Sequence, residues 1–352
     1  MYLCKMKRES NIELCRVVAM LMVLLLHANY FSLGWVEHAD IQEDCVGAFT
    51  KAFAEQLCIV CVNVFILISG WFGIRPNIKG GLSLLFQVFF YHILVVLFTF
   101  CIGEPVSLKQ VLMGFYFGWP YWFIVSYLIL YAISPILNSF IESSTPRVYA
   151  SVLVIFFLME FIYGWVWNIA AFNNGYTTIS FVGLYLLAQF VRRYSRKLLS
   201  LGVYQSFLLY VLFSVLPVGI YFLTGHKLSI TAYSSPFVIL SSLFFFLAFK
   251  QMKISSKVIN YLACSALSIY LIHLHPLICV HFINFMKGAY EALGGVLYMA
   301  FVLVFAVCFG LFCMLFDKVR ILLWKYLCIY IIDKILLKFN RLADRLFSSL
   351  GF

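Results

Sequence analysis

The chain has 352 residues, of which 64% are hydrophobic and only 11% charged, with 25 Lys and Arg against 14 Asp and Glu and a formal net charge of +11. A mean hydropathy of +1.00 excludes a water-soluble globule, which needs far more charge to cover its surface. Apolar runs long enough to cross a hydrocarbon core as helix recur along the whole chain, so the reading is an all-α polytopic bundle in a cell membrane.

Ten spans are predicted, at about 12–34, 54–74, 82–103, 120–141, 147–167, 176–191, 202–224, 230–249, 258–283 and 293–316. The first is read as a span and not a cleavable signal peptide, because it is long, carries Arg16 and His27, and lacks a small-residue cleavage site. After Asp317, Lys and Arg mix with apolar residues at helical spacing, the pattern of a helix lying on the membrane surface. The expected organisation is therefore an integral domain at 1–316 and an amphipathic basic tail at 317–352. With the N-terminus cytoplasmic, 20 of the 25 Lys and Arg fall inside and only Lys51, Lys109, Lys227 and Lys287 outside. That split is a strong positive-inside signal, and an even number of spans returns the tail to the cytoplasm. The positive charge thus serves topology and attraction to anionic lipid, with no nucleic-acid partner implied.

The 11 cysteines are scattered, and Cys58 and Cys61 share one helix face within apolar sequence, so packing explains them better than a disulfide framework or a metal site. No internal repeat is evident.

Ionisable groups within spans are costly and therefore informative. Arg16 and His27 lie 11 residues apart in the first span. At ~100° per residue both side chains share one helix face, separated by ~16 Å along the axis. Arg8 and Glu13 flank the same helix at its inside mouth, and Ser69-Gly70 interrupts the second span before Arg75 and Lys79. "SALSIYLIHLHP" in the ninth span brings Ser265, Ser268, Tyr270, His273 and His275 into the outer half of the membrane. Glu160 lies in the outer half of the fifth span, where pairing with a histidine, binding of hydroxyl groups and simple solvation all fit. His92 and Gln87 suit interhelical hydrogen bonds, His275 and His281 look interfacial, and Trp119, Tyr121 and Trp122 suit an aromatic belt or a stacking surface for sugar rings. The acidic rim from Glu37 to Asp44 reads as solvated outer loop.

In order, these motifs are the basic and acidic pair before the first span, R-x10-H within it, SG closing the second, a WF-led fourth span with a later Pro135, and S-x-Y-L-x-H in the ninth. Together they resemble the acyltransferase 3 family of integral membrane acyltransferases, over essentially the whole chain. One departure is that many members place paired arginines after the second span, where this chain has Arg75 and Lys79; lysine holds a phosphate without bidentate geometry. The resemblance implies transfer of an acyl group, often acetyl, to a saccharide or lipid-linked glycan, typically in a bacterial inner membrane. No permanently bound cofactor is implied, and acyl-CoA serves as the donor substrate. Arg8, Glu13, Arg16, Ser69, Arg75 and Lys79 are then the expected donor-binding residues. His27 is the expected general base or acyl carrier, with Tyr270, His273, Ser268 and Glu160 around it. The rival readings are a transporter or flippase without acyl-transfer chemistry, and a non-catalytic membrane partner of a polysaccharide-assembly complex; the lack of detected inverted repeats and paired broken helices counts against the first.

Overall fold

The computed structural model describes residues 8–113, 121–225, 230–330 and 332–334. It is all-helical over those residues. In chain order the helices are α1 (Ser10–Phe31), α2 (His38–Glu43), α3 (Cys45–Cys58), α4 (Cys61–Phe72), α5 (Ile78–Cys101), α6 (Leu108–Met113), α7 (Trp122–Ser143) and α8 (Pro146–Val166). There follow α9 (Thr178–Tyr194), α10 (Arg196–Leu199), α11 (Val203–Thr224), α12 (Pro236–Gln251), α13 (Lys257–Ala263), α14 (Leu267–His273), α15 (Pro276–Leu293) and α16 (Gly295–Leu323). Local chemistry sets several starts: Pro146, Pro236 and Pro276 occupy first-turn positions where no N–H is needed, and Asn77 caps α5 by accepting from the Gly80 N–H at 2.8 Å. Inside α7, Pro135 removes the N–H that would reach the Tyr131 carbonyl, and the Ser134 hydroxyl donates to that carbonyl instead, at 2.8 Å.

Helix α1 is central, packing against α3, α4, α12, α13, α14 and α16. Its polar N-terminal residues lock it in place. Asn11 donates to the Phe249 and Lys250 carbonyls at the end of α12, Glu9 pairs with Lys250 at 2.6 Å, and the Ser10 hydroxyl accepts from the Ser256 N–H. The Ser69-Gly70 step in α4 serves a close helix contact with α9. A Cβ at Gly70 would lie 2.7 Å from the Tyr185 carbonyl oxygen and 2.9 Å from its Cα, and backbone cannot retreat as a side-chain tip can. Gly70→Ala is therefore expected to force α4 and α9 apart and to cost about 1–3 kcal/mol, read as a lower melting temperature in detergent. An unchanged melting temperature would show that the two helices separate freely.

Among the described residues seven helices are long and apolar enough to cross a membrane, or eight if a bent pair counts as one span, against the ten spans expected. The shortfall has identifiable sources. Helix α9 has 17 residues and α12 has 16, both short for a crossing. The predicted 258–283 span is broken: the segments Lys257–His273 and Pro276–Leu293 meet at 83°. Pro276 lacks an N–H and holds His275 in extended backbone (φ −58°, ψ 134°), which ends the helix there. The predicted boundary at Asp317 is also not a helix end, since α16 runs on to Leu323 and continues as a π turn over Trp324–Cys328. The surface-helix reading of residues beyond 334 lies outside the described residues, as does Trp119.

Candidate functional site

His27 opens a five-residue π turn, His27–Phe31, that ends α1. A π turn widens the helix and frees carbonyls, and side chains take them up: Ser32 Oγ donates to the His27 carbonyl at 2.6 Å, and the Tyr298 hydroxyl to that of Ala28 at 2.5 Å. The turn thus fixes His27 on the wall of a cavity of about 120 Å³, shared with Tyr270, Glu55, Trp122, Tyr176 and Tyr233.

His27 Nδ1 lies 2.8 Å from His273 Nε2, and His273 Nδ1 lies 2.5 Å from the Ile269 carbonyl. A carbonyl only accepts, so His273 Nδ1 carries the proton and, in the neutral ring, His273 Nε2 is an acceptor. His27 Nδ1–H must then donate to it, which leaves the lone pair on His27 Nε2 for the cavity. The backbone of α14 thereby sets the tautomer of a histidine 246 positions away in sequence. Such an arrangement can take a proton at Nε2 and spread the resulting charge through a second imidazole.

Of the other expected site residues, Tyr270 does reach the cavity, its ring packed edge-on against Tyr121 at 6.1 Å. Ser268 does not. It is fully buried and donates to the Ser265 carbonyl in the turn before its helix. Glu160 is buried at the start of a second π turn, Glu160–Val166, and is not among the residues lining the His27 cavity. His275 is not interfacial but buried, and with His92 it forms a second imidazole pair at 2.9 Å. The Val111 carbonyl lies 2.8 Å from His92 Nε2, and His275 Nδ1 accepts from the Leu277 N–H, so His275 Nε2–H donates to His92 Nδ1. This pair ties α5 to the break between α14 and α15. Tyr121 and Trp122, read from sequence as an interface belt or a stacking surface, face inward: Tyr121 is buried and Trp122 packs on Tyr176 at 4.6 Å.

The basic residues expected at one mouth have three different sets of neighbours. Glu13 joins two of them, accepting from Arg16 at 2.7 Å and lying 3.7 Å from Arg8. Arg8 also reaches the Asn260 carbonyl on α13 and Cys264 Sγ just after it, while the Arg16 side chain keeps 32% of its surface exposed. Arg75 lines a separate pocket of about 400 Å³ with Arg192 and Arg193. Lys79 pairs with Asp333 at 2.6 Å. Ser69 bonds the Phe65 carbonyl and lies 3.4 Å from the Tyr127 hydroxyl, so its role is to shape α4.

Two groups of residues escape a reading from sequence. Glu55 is only 2% exposed and lines the His27 cavity, with Oε2 accepting from Asn29 Nδ2 at 3.0 Å and from the Tyr30 N–H at 3.4 Å. A span starting at 54 puts Glu55 at the interface, whereas the helix starts at Cys45, about 15 Å earlier along the axis. Asp317 and Arg320, assigned by pattern to a surface tail, are instead a buried bidentate pair (2.6 and 2.8 Å), with Tyr91 donating to Asp317 Oδ1 at 2.8 Å.

The fold defines a polytopic helical membrane protein, with the His27–His273 pair beside a cavity inside the bundle. The acyltransferase domain family model, that of acyltransferase 3, matches residues 9–315, so the chain belongs to this family and is a membrane acyltransferase. No curated protein and no solved structure matches it.

Proposed function

We propose that the protein moves an acyl group, in the simplest case acetyl, from cytoplasmic acyl-CoA to a hydroxyl of a cell-surface or lipid-linked saccharide, with both termini in the cytoplasm. The observation that carries this reading is the His27–His273–Ile269 relay on the cavity wall. His27 Nε2 removes the acceptor hydroxyl proton as the oxygen attacks the thioester carbonyl. Collapse of the tetrahedral intermediate forms the ester and expels the CoA thiolate, to which His27 returns the proton. Nδ1–H stays hydrogen-bonded to His273 throughout, which stabilises the imidazolium in between. Tyr270, on the same wall, donates to the developing oxyanion.

Donor phosphates are held by Arg16 and Arg8, with Glu13 positioning both guanidiniums. The extended pantetheine arm then covers the ~16 Å to His27. Supporting this is Arg16's exposed surface beside a buried carboxylate that fixes its direction. Transfer of radiolabel from acetyl-CoA in membranes containing the protein tests the reading, and absence of any labelled product would defeat it. Arg16→Ala is expected to weaken acyl-CoA binding about 10- to 100-fold, the loss of one charged hydrogen-bonding group. Arg16→Lys should recover part of that by keeping the charge without the fork. Unchanged donor affinity in Arg16→Ala would reassign the arginine to holding Glu13.

A further inference from the structure

We infer that Glu55 is the acceptor-binding residue of this site, and that the acceptor it recognises is a hydroxylated sugar ring. The inference rests on the acyl-transfer reading and deepens it. Glu55 is held by the same π turn that presents His27: Asn29 Nδ2 and the Tyr30 N–H both donate to its Oε2. Both donors follow His27 along α1, so Glu55 sits beyond the histidine on the side away from Arg16. A donor arm arriving from Arg16 meets His27 first, and the space next to Glu55 is left for the other substrate.

The carboxyl group is 2% exposed in a membrane helix, a costly position for a residue that only packs. Its second oxygen, Oε1, takes no hydrogen bond from the described residues, and Glu55 lines the cavity. Three aromatic rings that line the same cavity are in mutual contact. Trp122 lies 4.6 Å from Tyr176 and 6.0 Å from Tyr233, and the two tyrosines are 4.8 Å apart. Thr231 adds a hydroxyl to the same wall. Aromatic faces cover the C–H face of a pyranose, and a carboxyl oxygen accepts from its hydroxyls. Glu55 Oε1 orients the ring so that a neighbouring hydroxyl meets His27 Nε2. No bond is made or broken at Glu55.

Glu55→Gln separates this role from packing. The amide oxygen replaces Oε2 beneath Asn29 and the Tyr30 N–H, so the fold keeps both hydrogen bonds while an NH2 donor faces the cavity in place of Oε1. Acetyl transfer to methyl hexopyranosides and to 1-hexanol would be followed for wild type and Glu55→Gln. Binding of a thioether acyl-CoA analogue would be measured on both. The expected result is transfer by wild type to at least one hexopyranoside, with its KM about tenfold or more higher in Glu55→Gln, and analogue binding and hexanol transfer unchanged. An unchanged hexopyranoside KM overturns the assignment, as does a parallel loss of donor binding, which would make Glu55 structural. Labelling of endogenous membrane material by wild type without any hexopyranoside transfer overturns the sugar assignment while leaving acyl transfer intact. No transfer to anything removes the acyl-transfer reading itself.

Discussion

His27→Ala is expected to lower acyl transfer by about 10²- to 10⁴-fold while leaving the protein folded, inserted and able to bind donor. His27 lines the cavity, and on the proposed mechanism its removal takes away the base without touching the ion pair of Arg16 with Glu13. The half-buried ring contributes little to the core, and the Ser32 bond is to the His27 backbone carbonyl, so it survives truncation. His273→Ala should give a smaller loss, because His27 would keep its Nε2 but lose the partner that fixes its tautomer. Wild-type rates in His27→Ala at wild-type abundance would remove His27 from the chemistry.

The second large effect concerns stability. Asp317→Ala leaves Arg320 4% exposed without the carboxylate that accepts both of its charged hydrogen bonds. Breaking a buried pair from one side costs about 3–5 kcal/mol, a large part of the stability of a typical folded protein. Replacing both partners, as Asp317→Leu with Arg320→Met, should restore much of the loss, since two apolar groups leave no orphaned charge. Tyr91→Phe should cost only about 1 kcal/mol, one hydrogen bond to the same oxygen. Thermal unfolding of the purified variants in detergent measures all three. If Asp317→Ala melted with wild type, the pair would have to be open to water and α16 to end near Asp317.

The helical character of the chain and the placing of Arg16 and His27 on one helix are legible because both follow from the period of a single helix. Tyr270 was legible for the same reason, as a neighbour of His273 on one short helix. What joins different helices was not. His27 with His273, and His92 with His275, are separated by 246 and 183 residues, and no periodicity relates such positions. Glu55 was hidden by a boundary: composition turns strongly apolar near residue 54, but the helix begins among the small and polar residues from Cys45 onward. Asp317 and Arg320 look like the polar face of a surface helix until their i,i+3 spacing is seen to close on itself inside the bundle. The neighbours of Arg75 and Lys79 are not legible, because proximity to one end of the bundle does not fix lateral position. Arg75 turns toward α9 and its Arg192 and Arg193, and Lys79 toward Asp333.

The most direct measurement of the central claim uses the purified protein in liposomes, with radiolabelled acetyl-CoA supplied on the side carrying the termini and a methyl hexopyranoside enclosed on the other. Acetylated sugar should form inside the vesicles with wild-type protein and fall to background with His27→Ala, both at equal incorporation. Product formed equally by His27→Ala, or sugar crossing the bilayer unacetylated with no ester formed by either protein, would contradict it.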